Sequence, residues 1–272
     1  MTSHDASPLG RATGYPDRYD PGLLFAIERA EQRAALGLRG ALPFAGADLW
    51  TAYEISWLDP AGKPQLAIGQ LRVPADSPAT VESKSLKLYL GSFAQEALPG
   101  RTRLAQTMVR DLGRICRAPV DVVLQPVEAS AFAIQELPGE SLDAEEASAG
   151  AAAPAPEFLA AGGPVGEETL RTALFRSHCP VTGQPDYGDV MVRYRGPRID
   201  RAGLLRYLLS YRRHPAFHES CVERMFVDIA ARCRPELLTV YARFTRRGGI
   251  DINPFRSSFE APPVPAARTP RQ

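Results

Sequence analysis

The alternation of apolar and polar positions predicts a chain built from strand pairs and helices. LWTAYEISWLD (49–59) and PQLAIGQLRVP (64–74) flank the turn signal PAGK and predict an antiparallel hairpin. Apolar residues at helical spacing predict helices over Ser83–Phe93 and Arg103–Ile115. Two further apolar runs predict strands over 121–127 and 131–137.

The second half repeats this order of elements without repeating the residues. The predicted strands and helices cover 169–178, 189–196, Asp200–Arg212, His218–Cys233 and 237–248. Asp200 is the expected N-cap of the first of these helices. Antiparallel pairs with helices grouped between them favour an α+β fold over a doubly wound parallel sheet.

A shift in composition divides the chain. Residues 138–166 are rich in Ala, Gly, Pro and Glu, which is typical of a linker, although EFLA within them could form a short strand. We therefore predict an N-terminal module over 1–137, a linker over 138–166 and a C-terminal module over 167–272. Residues 1–20 are polar and rich in turn-forming residues, and we expect them to form a loosely held arm.

Composition narrows the class of protein. The 272 residues are 44% hydrophobic and 23% charged, which fits a globular protein with a real core. The net charge of +1 argues against a broad nucleic-acid-binding surface. The chain has no apolar run long enough to span a membrane, and its N-terminus does not resemble a signal peptide. We expect no membrane association and a cytoplasmic location.

Cysteine and histidine usage gives no sign of a metal site. The four cysteines form no CxxC pair, and only four histidines are present, so a zinc site is not expected. Free thiols in a reducing cytoplasm are the simpler interpretation. Lysine usage is more informative, because only three of the 32 basic residues are lysine and two of them, Lys84 and Lys87, are three residues apart.

Cys179 and Asp186 are the first candidates for chemistry. Cys179 lies between a predicted strand and a turn-forming segment, and the bends at Gly183, Pro185 and Gly188 could fold Asp186 back towards the sulfur. The structural alternative is a buried thiol followed by an Asp that organises the turn. His178 is a poor candidate for a base, because neighbours on a strand point to opposite faces.

Three further clusters have both functional and structural explanations. Glu82-Ser83-Lys84 can cap a helix with the lysines on a solvated face, or Lys84 can contact a phosphate. Glu219, after Phe217 and His218, can complement a helix dipole or accept two N–H bonds from a purine-like ring.

The last cluster is RRGGIDINP (246–254). Two arginines followed by two glycines combine positive charge with close backbone approach, as phosphate binding requires. The structural alternative is a basic loop that closes the last strand.

These segments together resemble the NADPH-dependent 7-cyano-7-deazaguanine reductases, the nitrile reductases of queuosine biosynthesis. The resemblance rests on ESKSLKLYL (82–90), CPVTGQPDYG (179–188), FHESCVERMF (217–226) and RRGGIDINP (246–254), in this order. It extends from about Asp17 to Asn253 and is strongest with the two-module subclass.

The resemblance implies tandem tunnelling-fold modules, each an antiparallel β-sheet backed by two helices, in a homodimer. It implies NADPH as cofactor, a small-molecule deazapurine as substrate, and no metal. The implied site residues are catalytic Cys179 and Asp186, substrate-binding Glu82, Ser83, Lys84, Phe217, His218 and Glu219, and cofactor-binding Lys84, Ser85, Arg247 and Gly248.

The implied mechanism accounts for these residue types. Cys179 adds to the nitrile carbon and forms a covalent thioimide, while Asp186 takes the thiol proton and passes it on. Two NADPH molecules then reduce the nitrile to an aminomethyl group. The alternatives are another tunnelling-fold enzyme acting on purines or pterins, which would need a zinc site, or a purine-binding protein without catalysis, which would not need both Cys179 and Asp186.

Overall fold

The computed structural model describes residues 14–129, 134–148, 150–263 and 268–272. The described strands are β1 Ala26–Glu28, β2 Ala45–Leu58, β3 Pro64–Pro74, β4 Ala79–Val81, β5 Asp121–Gln125, β6 Glu140–Ser141, β7 Ala161–His178, β8 Pro185–Ile199, β9 Leu237–Phe244 and β10 Ile250–Ser257. The described α-helices are α1 Arg29–Ala35, α2 Ser83–Gly91, α3 Arg101–Cys116, α4 Arg201–Leu209 and α5 His218–Cys233.

The chain forms two compact units. Unit 1 contains residues 1–37, 48–131 and 246–251, and unit 2 contains residues 38–47, 132–245 and 252–272. The division into 1–137, 138–166 and 167–272 stays a prediction. Units 1 and 2 differ from it in that each combines three separate stretches of the chain. Residues 38–47 belong to unit 2, and the turn at 246–251 belongs to unit 1.

Unit 1 is organised around the predicted hairpin, which is confirmed as β2 and β3. The turn between them is closed by Asp59, whose carbonyl accepts a hydrogen bond from the Gly62 amide at 2.9 Å. Gly62 has a φ of +83°, a conformation that favours glycine. β3 pairs on its other side with β5 in antiparallel register, from Ile68↔Gln125 to Arg72↔Asp121.

The two helices predicted in the first half are confirmed as α2 and α3. Their apolar residues recur on one face of each helix, and Leu86, Leu104, Met108 and Leu112 are fully buried. A short antiparallel pair, β1 with β4, precedes α2. The helices therefore contribute much of the apolar core of unit 1.

The start of the described chain is fixed to unit 1 and is not a loose arm. The Tyr19 hydroxyl donates to the Asp111 carboxylate at 2.6 Å, and the Tyr19 amide donates to Glu96 at 2.9 Å. The Tyr19 ring also packs on Phe93, with centroids 4.9 Å apart. The prediction for residues 1–20 is thus wrong at Tyr19, and residues 1–13 lie outside the described part.

Unit 2 contains the long strands. Its strand order is β10-β9-β8-β7-β6, with antiparallel pairing except for the short parallel pair of β6 with β7. β7 and β8 pair from Ala161↔Ile199 to His178↔Pro185, with register shifts between Gly162 and Val165 and between Thr172 and Phe175. The strands predicted over 169–178 and 189–196 are confirmed but longer than expected.

The helices of unit 2 confirm the second predicted pair. α5 spans His218–Cys233 as predicted, whereas the segment predicted as one helix over Asp200–Arg212 is α4 followed by a 3-10 turn over Ser210–Arg213. Asp200 occupies the N-cap position, but its side chain accepts no cap hydrogen bond. Antiparallel sheets with helices packed on them confirm the α+β class.

Two predictions near the middle of the chain need correction. Of the strand predicted over 131–137, residues 131–133 lie outside the described part, and Ile134 forms only one parallel bridge, to Arg268. Ile134 is 64% exposed and Leu137 is buried, but residues 134–137 belong to no described strand. EFLA is not a strand, because Pro156 begins a 3-10 turn there.

The predicted linker over 138–166 contains regular structure. It holds β6 and the first six residues of β7, because the pairing of β7 with β8 continues as far as Ala161↔Ile199. The register shift before Val165 accommodates Pro164, which has no amide to donate to a ladder. No helix within the described ranges is long and apolar enough to cross a membrane.

Candidate active site

Cys179 lies in a tight turn at the end of β7. Its amide donates to the Gln184 carbonyl at 2.9 Å, and its carbonyl accepts from the Gly183 amide at 3.0 Å. Gly183 has a φ of +67°, which explains the glycine at this bend. The turn holds the Cys179 side chain in the protein, where only 3% of the residue is exposed.

The register of β7 and β8 places Asp186 on the same face as Cys179. Ser177 pairs with Asp186, and the Cys179 amide reaches Gln184, which continues the same register. Since residues two apart on a strand share a face, Cys179 and Asp186 are diagonal neighbours, roughly 7 Å apart at Cβ. His178 pairs with Pro185 and belongs to the opposite face, as expected.

His218 lies directly against Asp186. Its Nε2 is 3.3 Å from an Asp186 carboxylate oxygen, and its ring stacks on Phe244 with centroids 3.8 Å apart and planes 17° apart. Within the described residues neither ring nitrogen of His218 forms a well-aligned hydrogen bond. Both His218 and Asp186 are buried, so the pair is held in a low-dielectric environment.

The start of α5 carries the predicted substrate residues. Phe217 is the N-cap, and its side chain makes no cap hydrogen bond; His218 and Glu219 occupy the first turn. Glu219 is buried, and a carboxylate in the first turn is also favoured by the helix dipole. The structure is therefore compatible with both explanations of Glu219.

The other cysteines are held as thiols. Burial, with smaller contributions from the charges of Asp186 and Glu219, outweighs a hydrogen bond with Ser177 and raises the pKa of Cys221 to about 12. Burial likewise raises the pKa of Cys116 to about 12 and that of Cys233 to about 11. A nucleophile must be a thiolate, so these three are poor candidates.

The signature segment begins α2 in unit 1. Glu82 is the N-cap, and its carboxylate accepts hydrogen bonds from the amides of Lys84 at 2.7 Å and Ser85 at 2.8 Å. Glu82 therefore caps the helix, as the structural alternative stated. Ser83 and Lys84 are half-buried at the same helix end.

Ser85 faces the interior of unit 1. Its hydroxyl donates to the Glu82 carbonyl at 2.7 Å and accepts from the Phe25 amide at 3.1 Å, and the residue is fully buried. The cofactor contact expected of Ser85 stays a prediction. In this structure the hydroxyl connects α2 to the segment that precedes β1.

The glycine turn after Arg247 lies beside Lys87. The Arg247 amide donates to the Ile250 carbonyl at 2.8 Å, and Gly248 and Gly249 have φ of +60° and +78°. Two central residues with positive φ define the hairpin turn that glycine favours. A Cβ added at Gly248 would lie 3.0 Å from Lys87 Nζ and Cε, so the lysine fills the space that the glycine leaves.

The residues of this turn fit a phosphate-bearing group. Arg247, Gly248 and Lys87 combine cationic side chains with an open glycine backbone, which is the chemistry of phosphate binding. Arg246 instead lies over the Tyr53 ring at 4.8 Å. No cluster of three or more His, Cys, Asp or Glu able to hold a metal occurs in the part of the chain that the structure describes.

Sequence reasoning missed Phe244 and left Lys87 without a role. Phe244 ends a strand that alternates like any other, and nothing in that pattern marks its ring as the partner of His218. The scarcity of lysine did mark Lys87, but only the fold places it beside Gly248.

Cys179, Asp186 and His218 are buried in unit 2, and the glycine turn beside Lys87 lies in unit 1. Two family models match the chain. The family model for "Nitrile reductase, 7-cyano-7-deazaguanine-reductase N-term" matches residues 15–124, and the model for "QueF-like protein" matches residues 185–263.

The curated relatives are similar over nearly their whole length. An NADPH-dependent 7-cyano-7-deazaguanine reductase of Bordetella pertussis is 53% identical over 98% of both chains, and one of Burkholderia ambifaria is equally similar. The chain belongs to the family of NADPH-dependent 7-cyano-7-deazaguanine reductases. These are oxidoreductases, and the prediction of an NADPH-dependent enzyme of this family is confirmed.

A solved structure of the apo archaeosine synthase QueF-Like covers 37% of this chain and 99% of its own, at 19% identity and a TM-score of 0.32. This overlap is too partial to define the fold.

Proposed function

We propose that this protein reduces the nitrile of 7-cyano-7-deazaguanine to an aminomethyl group with two molecules of NADPH, through a thioimide on Cys179. Family membership supports the activity. The observation that supports the mechanism is the register of the β7–β8 hairpin, which puts Cys179, in the turn directly after β7, on the same face as Asp186 of β8.

The thiol solves a chemical problem that a nitrile presents. The C≡N carbon has no leaving group, and hydride transfer to it directly is difficult. Adding Cys179 forms a C–S bond, breaks one π bond of the nitrile and places a hydrogen on nitrogen, which gives the thioimide. The thioimide carbon is a better acceptor of hydride, and thiolate can leave once the carbon is reduced.

Asp186 is proposed to move the proton in this addition. The carboxylate accepts the thiol proton as sulfur attacks and then donates it to the nitrile nitrogen, so the step is balanced without an external acid. His218 contacts Asp186 at 3.3 Å and orients this carboxylate. Burial of all three residues excludes water from an intermediate that hydrolysis would destroy.

The substrate residues are proposed to hold the deazapurine ring. Glu219 can accept hydrogen bonds from two ring N–H groups, with His218 and Phe217 contributing contacts at the same helix end. The contributions expected from Glu82, Ser83 and Lys84 stay predictions. The capping bonds of Glu82 indicate that its carboxylate also holds the start of α2.

Lys84, Ser85, Arg247 and Gly248 are the proposed cofactor residues. When bound, NADPH supplies one hydride to the nitrile carbon in each of two rounds. The part played by this chain is to neutralise the cofactor phosphates, for which the glycine turn beside Lys87 is suited.

Oxidation of NADPH tests the proposed function. The protein should oxidise NADPH only when 7-cyano-7-deazaguanine is present, with two NADPH used for each aminomethyl product. A protein that binds the nitrile but never oxidises NADPH would be a purine-binding protein. Turnover of a pterin precursor that a chelator stops would identify a different enzyme.

We further propose that the protein acts in queuosine biosynthesis, in the cytoplasm, as a homodimer. Four free cysteines support a reducing compartment. Light scattering should give twice the 29.6 kDa chain mass, and a single-chain mass would contradict the dimer.

A further inference from the structure

The side chain of Gln272 is buried within unit 2 and makes four hydrogen bonds. Its Oε1 accepts from Arg243 Nε at 2.6 Å and from the Thr269 amide at 3.1 Å. Its Nε2 donates to the Phe244 carbonyl at 2.9 Å and to Asn253 Oδ1 at 2.7 Å. Both N–H donors and both oxygen lone pairs of this amide are therefore used, and only 3% of the residue is exposed.

Arg271 makes a second set of bonds to the same sheet. Its Nη2 donates to the carbonyls of Ala173 at 2.9 Å and Gly188 at 3.2 Å, and to Asp189 Oδ1 at 2.5 Å. Gly188 pairs with Phe244, whose carbonyl Gln272 holds. The two side chains therefore hold the same rung of the ladder between β8 and β9.

The bond to Ala173 has a particular effect, because Ala173 lies in the bulge of β7 between Thr172 and Phe175. A bulge takes backbone groups out of the ladder. Here the Ala173 amide donates to Asp143 at 3.1 Å, and its carbonyl accepts from Arg271. The bulge is thus held by two side chains from outside the strand.

The strands held in this way lead directly to the candidate site. Gly188 is two residues from Asp186 on β8, and β7 runs from the bulge to His178, the residue before Cys179. Phe244, whose carbonyl Gln272 holds, carries the ring on which His218 stacks. These strand ends therefore carry the backbone next to all three side chains of the candidate site.

We propose that Arg271 and Gln272 are positioning residues for the reaction: they hold the bulge of β7 and the facing ends of β8 and β9 so that Cys179, Asp186 and His218 keep their reactive arrangement. This proposal rests on the proposed function. Neither residue touches the reacting atoms, and both act through the strands they hold.

The rate of thioimide formation tests it, measured with saturating nitrile and without NADPH. Gln272→Ala and Arg271→Ala should each slow adduct formation by roughly tenfold to a hundredfold, the size expected when reacting groups shift by about an ångström. Nitrile affinity, measured by calorimetry in the Cys179→Ala background, should change far less than this rate.

Conservative variants separate positioning from folding. Gln272→Glu keeps the side-chain length and gains a charge for Arg243, but it cannot donate to the Phe244 carbonyl. Its new carboxylate oxygen also faces Asn253 Oδ1, so the rate is measured well below the melting temperature of the variant, where all of the protein is folded. Under those conditions it should react as slowly as Gln272→Ala. Arg271→Lys keeps a charge for Asp189, but the lysine side chain is shorter, so its ammonium lies short of the Nη2 position that meets all three acceptors, and an intermediate rate is expected.

Pro270→Ala is the matched control, because Pro270 is exposed in the same segment. It should form adduct at the parent rate. The proposal is overturned if the Arg271 and Gln272 variants also react at the parent rate. It is equally overturned if their folded molecules react at the parent rate and only the folded fraction falls, as the melting temperature falls. Absence of any adduct in the parent would instead contradict the proposed function.

Discussion

His218 Nε2 lies 3.3 Å from a carboxylate oxygen of Asp186, and the His218 ring is stacked on Phe244. The carboxylate proposed to move the proton therefore lies directly against an imidazole that is stacked on an aromatic ring from β9. Neither Asp186 nor His218 is more than 8% exposed, so solvent does little to weaken their interaction.

Replacing Phe244 by Leu should slow adduct formation about tenfold, since the stacking that fixes His218 is lost while apolar volume is kept. The KM for NADPH should stay unchanged. Rapid-quench mass spectrometry gives the adduct rate and steady-state kinetics give the KM. Phe259→Leu is the control, because Phe259 is 43% exposed. An unchanged rate in Phe244→Leu would show that stacking on Phe244 is not needed to position His218.

Asp186→Asn should bind the nitrile and form the adduct slowly, by roughly two to four orders of magnitude, because the amide cannot accept the thiol proton. Binding is measured by calorimetry and adduct formation by intact mass. Asp121→Asn, at an exposed position of β5, should behave as the parent. Adduct formation at the parent rate in Asp186→Asn would show that another group moves the proton.

Arg247→Ala should raise the KM for NADPH about tenfold or more, since it removes the proposed charge-assisted phosphate contact. Gly248→Ala should raise it as well, because the added methyl group displaces Lys87 and strains the turn. The added Cβ would lie 3.0 Å from Lys87 in a backbone with φ of +60°. Adduct formation without NADPH should be unaffected. Lys63→Ala, in the β2–β3 turn, is the control. A slower adduct rate in the Gly248 variant would mean that the turn has another role.

Stability in acid should depend on Asp111. Burial raises its pKa, but hydrogen bonds from Arg110, Tyr19 and Tyr89 outweigh burial, and the net pKa lies below the ordinary value. A lowered folded pKa adds stability above the unfolded pKa of about 3.9, and this stability is lost as the pH falls through the folded pKa.

Denaturant unfolding of Asp111→Asn at several pH values checks this. The variant should be less stable than the parent at pH 7 by roughly 1–3 kcal/mol. The difference should shrink as the pH falls below about 4. A difference that stays constant down to pH 2 would contradict the assigned charge interaction.

Much of the fold follows from local pattern. The hairpin of β2 and β3, the helices α2 and α3, and α5 were all predictable, because two-residue and helical periodicity are properties of neighbouring residues. The errors lie where pairing partners are distant. Pairing with β8 extends β7 into a Gly- and Pro-rich segment, and Tyr19 is fixed by Asp111 across 92 positions of sequence.

The candidate site shows the same limit. Cys179, Asp186 and Glu219 were identified from short sequence segments and from the family resemblance. The register of β7 with β8 then explains why the first two lie on one face. The contact of His218 with Phe244, and the bonds of Gln272 to β9 and β10, depend on which strands are neighbours. No local pattern carries that information.

The most direct test of the central claim is the intact mass of the protein after incubation with 7-cyano-7-deazaguanine and no NADPH. A thioimide on Cys179 predicts one added nitrile per chain, located on Cys179 by peptide mapping. The adduct should disappear on adding NADPH and be absent in Cys179→Ala. It should be retained in Cys233→Ala, which removes a buried thiol from α5. An adduct that persists in Cys179→Ala, or normal turnover by that variant, would contradict the mechanism.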